Sequence, residues 1–294
     1  WNIGYGGLSE TADFFMDGGT GVRTQDRQSV TANVGAVCGL ISEAQPDIVF
    51  LQEADRNSTR SWHIDETALI SSAAPYMQTA FANNFKVLYM PYPIPFMGHI
   101  DSGLFTMTRY DAASAERIQL PCPFRWPVST VNLKRCLLTE RIPVEGTDKE
   151  LVLINLHLEA YDSGEGKIAQ TKMLSEYMRH ELERGNYVIA GGDFNQTFSN
   201  IDTSMYPLQG DGLWECGHID VTAFDDGWRF LMDTSVPTCR SLDRPYDADD
   251  PGFQYYMIDG FIVSDNITVE DMHTLDLGFA NSDHNPVPMT FILN

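Results

Sequence analysis

Tyr187-Val188-Ile189-Ala190-Gly191-Gly192-Asp193-Phe194-Asn195 is the stretch on which the fold turns. Its apolar half has the length and composition of a buried strand, and it stops on a polar cluster. The same arrangement recurs along the chain in a fixed order. Gln52-Glu53 closes the apolar run Asp47 to Leu51, and His157 closes Leu151 to Leu156. Asp259 instead opens the run Ile258 to Val263, Ser282-Asp283-His284-Asn285 precedes Pro286 to Leu293, and Asn2 stands at the start of the chain. Strands running one way would deliver the first three clusters to a rim. Strands running the other way would begin there with Asp259 and His284. Two His, several carboxylates and two carboxamides would then meet in one cleft, a set that suits a hard metal ion and a phosphate ester.

The periodicity outside these clusters predicts helices over 28–44, where Val30, Val34, Val37 and Ile41 share a face before Pro46, and over 166–184, where Leu174, Tyr177, Met178 and Leu182 do so before Gly185. A further helix is expected over 66–81, broken near Pro75. Strands are expected at 47–53, 87–88, 103–108, 136–143, 150–157, 187–192, 256–264, 267–273 and 287–293, with the turn at 145–148 making a hairpin. Residues 198–250 read as irregular. Hairpins mixed with αβ units imply two stacked mixed sheets with helices outside, an α/β chain forming a single domain over 1–294.

A net charge of −22 argues against nonspecific binding along a nucleic-acid backbone, although a bound divalent cation would reverse part of the field in an acidic cleft. The five cysteines (Cys38, Cys122, Cys136, Cys216, Cys239) form no CxxC pair or zinc spacing and read as packing residues. A Cys216–Cys239 or Cys122–Cys136 bridge stays open. No apolar run approaches the ~18 residues of a membrane span. The chain opens on Trp1 inside what reads as a first strand, so a leader or anchor ahead of it, and with it the compartment, is left open. A monomer is expected.

Taken singly, each cluster has an ordinary reading. Gln52-Glu53 could be a solvated strand end, Gly-Asp-Phe-Asn a turn, His157 a core histidine, Asp259 a cap, and the 282–285 segment a polar turn before proline. All would have to coincide, in this order, each beside a buried strand. Together, Trp-Asn-Ile, Leu-Gln-Glu, Asn-Leu-His, Gly-Gly-Asp-Phe-Asn, Ile-Asp-Gly-Phe-Ile-Val-Ser and Ser-Asp-His-Asn-Pro-Val resemble the signature of the endonuclease/exonuclease/phosphatase superfamily. The resemblance runs from Asn2 to Pro286. It implies a four-layer αββα sandwich and hydrolysis of a phosphoester dependent on Mg²⁺, with Mn²⁺ as a substitute.

Carried over by position, Glu53 resembles the principal metal carboxylate, with Asn2 and Asp283 beside it. Asp193 resembles the residue that orients or deprotonates the attacking water, and Asn195 its companion in holding water and phosphate. His284 resembles the imidazole that faces the scissile phosphate, with Asp259 as its carboxylate. His157 resembles the second active-site His, and Asp101 its acidic partner. Arg135 lies where some nucleases place a phosphate-contacting Arg. Gly4 departs from members with a metal-binding Asp two residues after the Asn, which puts a second metal position in doubt.

The substrate is less legible. With five Lys in all and none clustered, the chain lacks the basic groups expected for a polyphosphate or a duplex. Isolated arginines (Arg56, Arg60, Arg109, Arg135) would hold one phosphate but hardly a strand. The expected substrate is therefore a small or lipid-linked phosphoester. Cleavage of DNA or RNA is the alternative, and a silent binding module a remote one, since no key residue is missing. The stretch Tyr89 to Met97 is expected chiefly to pack over the sandwich edge, with base stacking or lipid contact open and Phe124-Arg125-Trp126-Pro127 near the same mouth.

Overall fold

A computed structural model describes residues 1–162 and 164–294. Asp26 accepts the Ser29 N–H at 2.7 Å and starts α1 (Arg27–Ala44); Gln45, in the left-handed region, ends it ahead of Pro46. Then follow β1 (Ile48–Asp55), α2 (Glu66–Ala73), β2 (Gln78–Met90), β3 (Gly98–Thr108), β4 (Ser114–Gln119), β5 (Cys136–Pro143), β6 (Glu150–His157), α3 (Glu165–Glu183) and β7 (Tyr187–Asp193). The last third holds β8 (Gln196–Phe198), β9 (Gly217–Ile219), β10 (Trp228–Leu231), β11 (Cys239–Arg240), β12 (Tyr255–Tyr256), β13 (Asp259–Ser264), β14 (Ile267–Met272) and β15 (Met289–Leu293).

One sheet has the order β1-β3-β2 and the other β10-β13-β7-β6-β5-β4. Side-chain alternation explains how they stack. In β1, Leu51 packs with Val30, Val34 and Ile41 of α1 and Ile70 of α2, whereas Ile48 and Phe50 point the other way, to Leu153, Ile189 and Val263. In β6, Leu151 and Leu153 face that middle layer, while Val152, Ile154 and Leu156 meet Leu174 and Met178 of α3. The order is thus helix, sheet, sheet, helix, the expected αββα sandwich. Emptying the α3 layer by Leu174→Ala would cost about 3 kcal/mol.

One buried amide ties the sheets together below the clusters. Asn155 accepts from Gln52 Nε2 at 2.7 Å and donates to the carbonyls of Leu51 and Phe105 at 3.2 and 3.1 Å. Gln52 therefore belongs to the frame and leaves the next residue, Glu53, to the rim.

Several expected elements differ. Helix α2 stops at Ala73, because Ala74 before Pro75 leaves the helical region, and the chain turns into the long strand β2 rather than continuing to 81. Pairing with β3 holds residues 78–90 extended, far beyond the short 87–88 strand. The polar edge strand β4 carries no apolar run and was not expected. Residues 256–264 divide into β12 and β13 at Met257-Ile258, immediately before Asp259. All five cysteines are free, which removes both bridge pairings.

Candidate active site

Three neighbouring strands end side by side. Strands β6 and β7 are parallel and pair His157 with Asp193; β13 is antiparallel to β7 and pairs Asp259 with Asp193. Residues in register project from the same face, so the three side chains form a row. Glycine makes this approach possible: Gly192 has a φ of +137°, and a Cβ there would overlap Leu156 O.

Glu53 reaches the row by a different device. The β1–β3 register slips between Leu51 and Ala54, and Glu53 takes a φ of +54° inside that bulge. The bulge aims its carboxylate out of the sheet. Asn195, with a φ of +51°, is a second residue held in the left-handed region at the rim. Such conformations persist only where the surroundings over-determine them. Here the Asn195 N–H donates to Asp193 Oδ1 at 2.8 Å and its Nδ2 to Leu158 O at 2.9 Å.

The 282–285 loop closes the site. Ser282 Oγ donates to Asn2 O at 2.8 Å, and Trp1 Nε1 donates to His284 O at 2.7 Å. His284 Nδ1 then lies 2.8 Å from Asp259 Oδ2, and Nε2 lies 3.8 Å from Asp193 Oδ2 and 3.9 Å from Asp283 Oδ2. Burial opposes charging this ring, yet Asp259 and Asp283 outweigh it and hold the imidazole well above its ordinary value. Burial and then Asp259 push the Asp193 carboxyl up to about 7. Asp283 is raised to about 6, chiefly by burial, with His284 opposing and Glu53 adding to the shift.

His157 Nε2 is 3.4 Å from Asp193 Oδ2, and its Nδ1 has no partner among the described residues. Burial and the nearby Arg135 drive it well below its ordinary value, so this ring is neutral. The expected carboxylate partner, Asp101, is not brought to it. Asp101 pairs with Lys86 across β2–β3, accepting from Lys86 Nζ at 2.9 Å and Asn83 Nδ2 at 2.6 Å, and is absent from the cavity lining. Among the described residues at the site, His284–Asp259 is the hydrogen-bonded His–carboxylate pair, and the expected His157–Asp101 pair is not formed.

Asn2 is central. Its Nδ2 donates to Asp193 Oδ2 at 3.1 Å and Glu53 Oε1 at 3.2 Å, and lies 3.4 Å from His284 Nε2. Its Oδ1 accepts from Gly4 N–H at 3.0 Å. In this arrangement the amide braces the carboxylates rather than offering them a shared oxygen. At Gly4, φ is +51° and a Cβ would stand 2.9 Å from Asp283 Oδ1, so no side chain fits there without a shift.

Among the described residues, two groups of buried side chains bring ligand atoms within 4.8 Å of one another: Asp193, Asp259 and His284, and Cys239, Asp283 and His284. Neither makes a good cation cage. His284 Nδ1 is taken by Asp259, and burial pushes the Cys239 thiol up to about 12, away from the thiolate a metal requires. The Glu53–Asp283 side fits a hard divalent cation better. Its donors are carboxylate oxygens, and the nearest guanidinium, Arg60 at 3.9 Å from Glu53, already makes a two-pronged pair with Asp55 at 3.0 and 3.1 Å.

Arg60 reads as a loop residue in the sequence but is buried, stacked on Tyr5 at 3.8 Å. Arg56 stacks on Phe81, and Arg109 pairs with Asp47, both outside the cavity. Arg135 is buried in the cavity wall with Nε and Nη1 unpartnered and Glu159 Oε2 at 3.9 Å. The cavity itself is about 470 Å³. Its floor is the polar row; its wall includes Met90, Tyr92 and Phe124, from the two stretches singled out in the sequence, and Phe15, Leu133 and Trp214, which carried no signal there.

Residues 30–284 match the family model of the endonuclease/exonuclease/phosphatase family. The chain belongs to that family. It is accordingly a hydrolase of phosphoester bonds, in a family that generally uses a divalent metal. No curated protein matches it. Among solved structures, an endonuclease/exonuclease/phosphatase from Beutenbergia cavernae DSM 12333 superposes with a TM-score of 0.69 at 19% identity, over 100% of this chain and 70% of that one. A Bacteroides vulgatus endonuclease/exonuclease/phosphatase reaches 0.60 at 16% identity, over 93% and 96%. TDP2 of D. rerio, complexed with a single strand DNA product, reaches 0.57 at 17% identity, over 89% and 92%.

Proposed function

We propose that the protein is a Mg²⁺-dependent phosphodiesterase or phosphatase acting on a small or lipid-linked phosphoester. The observation that carries this reading is His284, held through Nδ1 by Asp259 and turned with Nε2 toward Asp193 on the cavity floor. Glu53 and Asp283 would hold the cation, with Asn2 keeping the carboxylates in place. When bound, Mg²⁺ polarises a phosphoryl oxygen and offsets charge on the leaving oxygen.

The side chains divide the rest of the work. Asp193, a carboxyl titrating near neutrality, accepts a hydrogen bond from the attacking water and takes its proton. Asn195 holds the loop that presents Asp193 and lends its amide to water and phosphate. The His284 imidazolium donates from Nε2 to a phosphoryl oxygen as negative charge builds there. Neutral His157 adds a hydrogen bond without adding charge. Arg135, whose guanidinium has donors to spare, meets a non-bridging oxygen.

Cleavage of nucleic acid is the second reading, favoured by the likeness to a TDP2 structure holding a DNA product. A net charge of −22 and a cavity with few cations weigh against it. The test is a Mg²⁺-dependent panel of aryl phosphodiester, phosphomonoester, phospholipid, sphingomyelin, inositol phosphate, RNA, plasmid and single-stranded DNA, each run beside Asp193→Asn. Turnover of small or lipid esters, lost in the variant, supports the proposal. Efficient plasmid nicking at physiological salt with no turnover of the others would replace it by the second reading.

A further inference from the structure

Large apolar side chains stand in water on one side of the cavity. Leu88 is 87% exposed, Ile94 85% and Trp126 81%, and Tyr89, Phe96 and Val128 are exposed beside them. They come from two segments, 88–97 and 124–128, that share one mouth. Met90 and Met97 of the first and Phe124 of the second all line the cavity, and Met90 and Met97 pack in one cluster with Val131 and Leu133 just beyond the second. Arg23 donates to Phe96 O and ties the tip of the first segment to the body. The expectation that 89–97 packs over the sandwich edge therefore holds only for Met90 and Met97. Contiguous exposed apolar surface of this kind marks an interaction site.

Charge says what the partner is. In a chain with 41 Asp and Glu, residues 67–100 and 117–139 contain none. The two acid-free stretches are those that carry the exposed apolar tips, and the second adds exposed Arg125 and Lys134. Two segments free of carboxylates and tipped with Trp, Tyr and aliphatic side chains match the phosphate-bearing, half-apolar boundary of a bilayer, where Trp and Tyr settle at headgroup depth. Leu88, Ile94 and Val128 have no ring to stack on a base, and the acidity of the rest of the chain opposes a nucleic-acid track.

We infer that the 88–97 and 124–128 segments dock the protein on the surface of a zwitterionic phospholipid bilayer, so that a lipid phosphoester enters the cavity along its apolar wall. This inference rests on the phosphoesterase reading above and names its substrate class. The partner is the bilayer itself, and the contact is apolar insertion rather than attraction to anionic lipid.

Flotation of the intact protein with phosphatidylcholine vesicles tests it, using an Ile94→Ser/Trp126→Ser variant whose altered side chains lie outside the cavity lining. The wild type should float, and the variant should partition on the order of tenfold less. Hydrolysis of a soluble aryl phosphodiester should be unchanged in the variant, with turnover of vesicle lipid reduced in step with binding. Absence of flotation, equal flotation of both proteins, or flotation that requires added phosphatidylserine would overturn the inference. So would a defect of the variant in binding single-stranded DNA with no vesicle binding by either protein. Soluble-ester hydrolysis without vesicle binding would remove the docking face alone; vesicle binding without hydrolysis of any ester would remove the catalytic reading alone.

Discussion

The floor and the wall of the cavity are built from different parts of the chain. On the floor, Asp193, Asp259, Asp283, His157 and His284 are buried, set by strand register, and cross-braced by Asn2 and the 282–285 loop. The wall rests on segments in which Met90 and Met97 are packed while other side chains, such as Ile94 and Trp126, face water. Chemistry that must hold sub-ångström geometry sits on strands, while what meets a variable substrate sits on loops. Changes to the floor should therefore strike the chemical step, and changes to the wall should strike binding.

The largest effect is expected for Asp193→Asn, which keeps the side chain's size but removes the proton acceptor and one of its two hydrogen-bond acceptors. Its kcat should fall by on the order of 10³-fold or more, with a melting temperature near the wild-type value. Full activity on an aryl phosphodiester would break the division between floor and wall at its centre. For Glu53→Gln we expect a loss of about 10²-fold and a shifted Mg²⁺ requirement. Mg²⁺ should raise the melting temperature of the wild type by mass action and that of the variant much less. Equal shifts in a thermal titration would place the ion away from Glu53.

Gly192→Ala probes the rigidity of the floor. The new methyl would overlap Leu156 O at a φ that L residues avoid, so chemical denaturation should show a loss of about 2 kcal/mol or more. Unchanged stability would mean that the strand ends are less tightly set than their register implies.

The smallest effect is expected on the wall. Asp17 lines the cavity and accepts from Tyr161 Oη at 3.0 Å; burial pushes its carboxyl up to about 7, against that hydrogen bond. Because the folded chain favours the neutral acid, the stability it contributes is present at low pH. That contribution is lost as pH rises from the ordinary carboxylate range through about 7. Between about pH 6 and 8, KM for an apolar aryl phosphodiester should rise a few-fold in the wild type and stay flat in Asp17→Asn, while the rise of kcat as Asp193 loses its proton is common to both. A matching pH dependence of KM in the variant would assign the titration to the floor.

Most of the floor was legible before the fold. An apolar run that ends on Asp, His or Glu marks a strand reaching a rim, and the order of such runs needs no knowledge of packing. Asp101 shows where that reasoning fails. It lies just before an apolar run like the others, but the β2–β3 register sets it opposite Lys86, and a cross-strand ion pair took it out of the site. Arg60, expected as one of the isolated arginines that would hold a phosphate, is instead a buried guanidinium beside Glu53, closed in by Asp55 and Tyr5.

The chain's own sequence determined the alternation that sorts Leu51 from Phe50, the helix faces of α1 and α3, and the identity of the residues that end the central strands. These are local properties, set by the periods of strand and helix and by side-chain polarity. Only the tertiary structure decided which carboxylate belongs to which imidazole, that Asn2 turns its amide nitrogen rather than its oxygen to Glu53 and Asp193, and that Met90 and Met97 pack while Leu88 and Ile94 stand bare. Such outcomes depend on distances between residues far apart in the chain. A change of one residue in register or a single bulge redirects a side chain without leaving any mark on local composition.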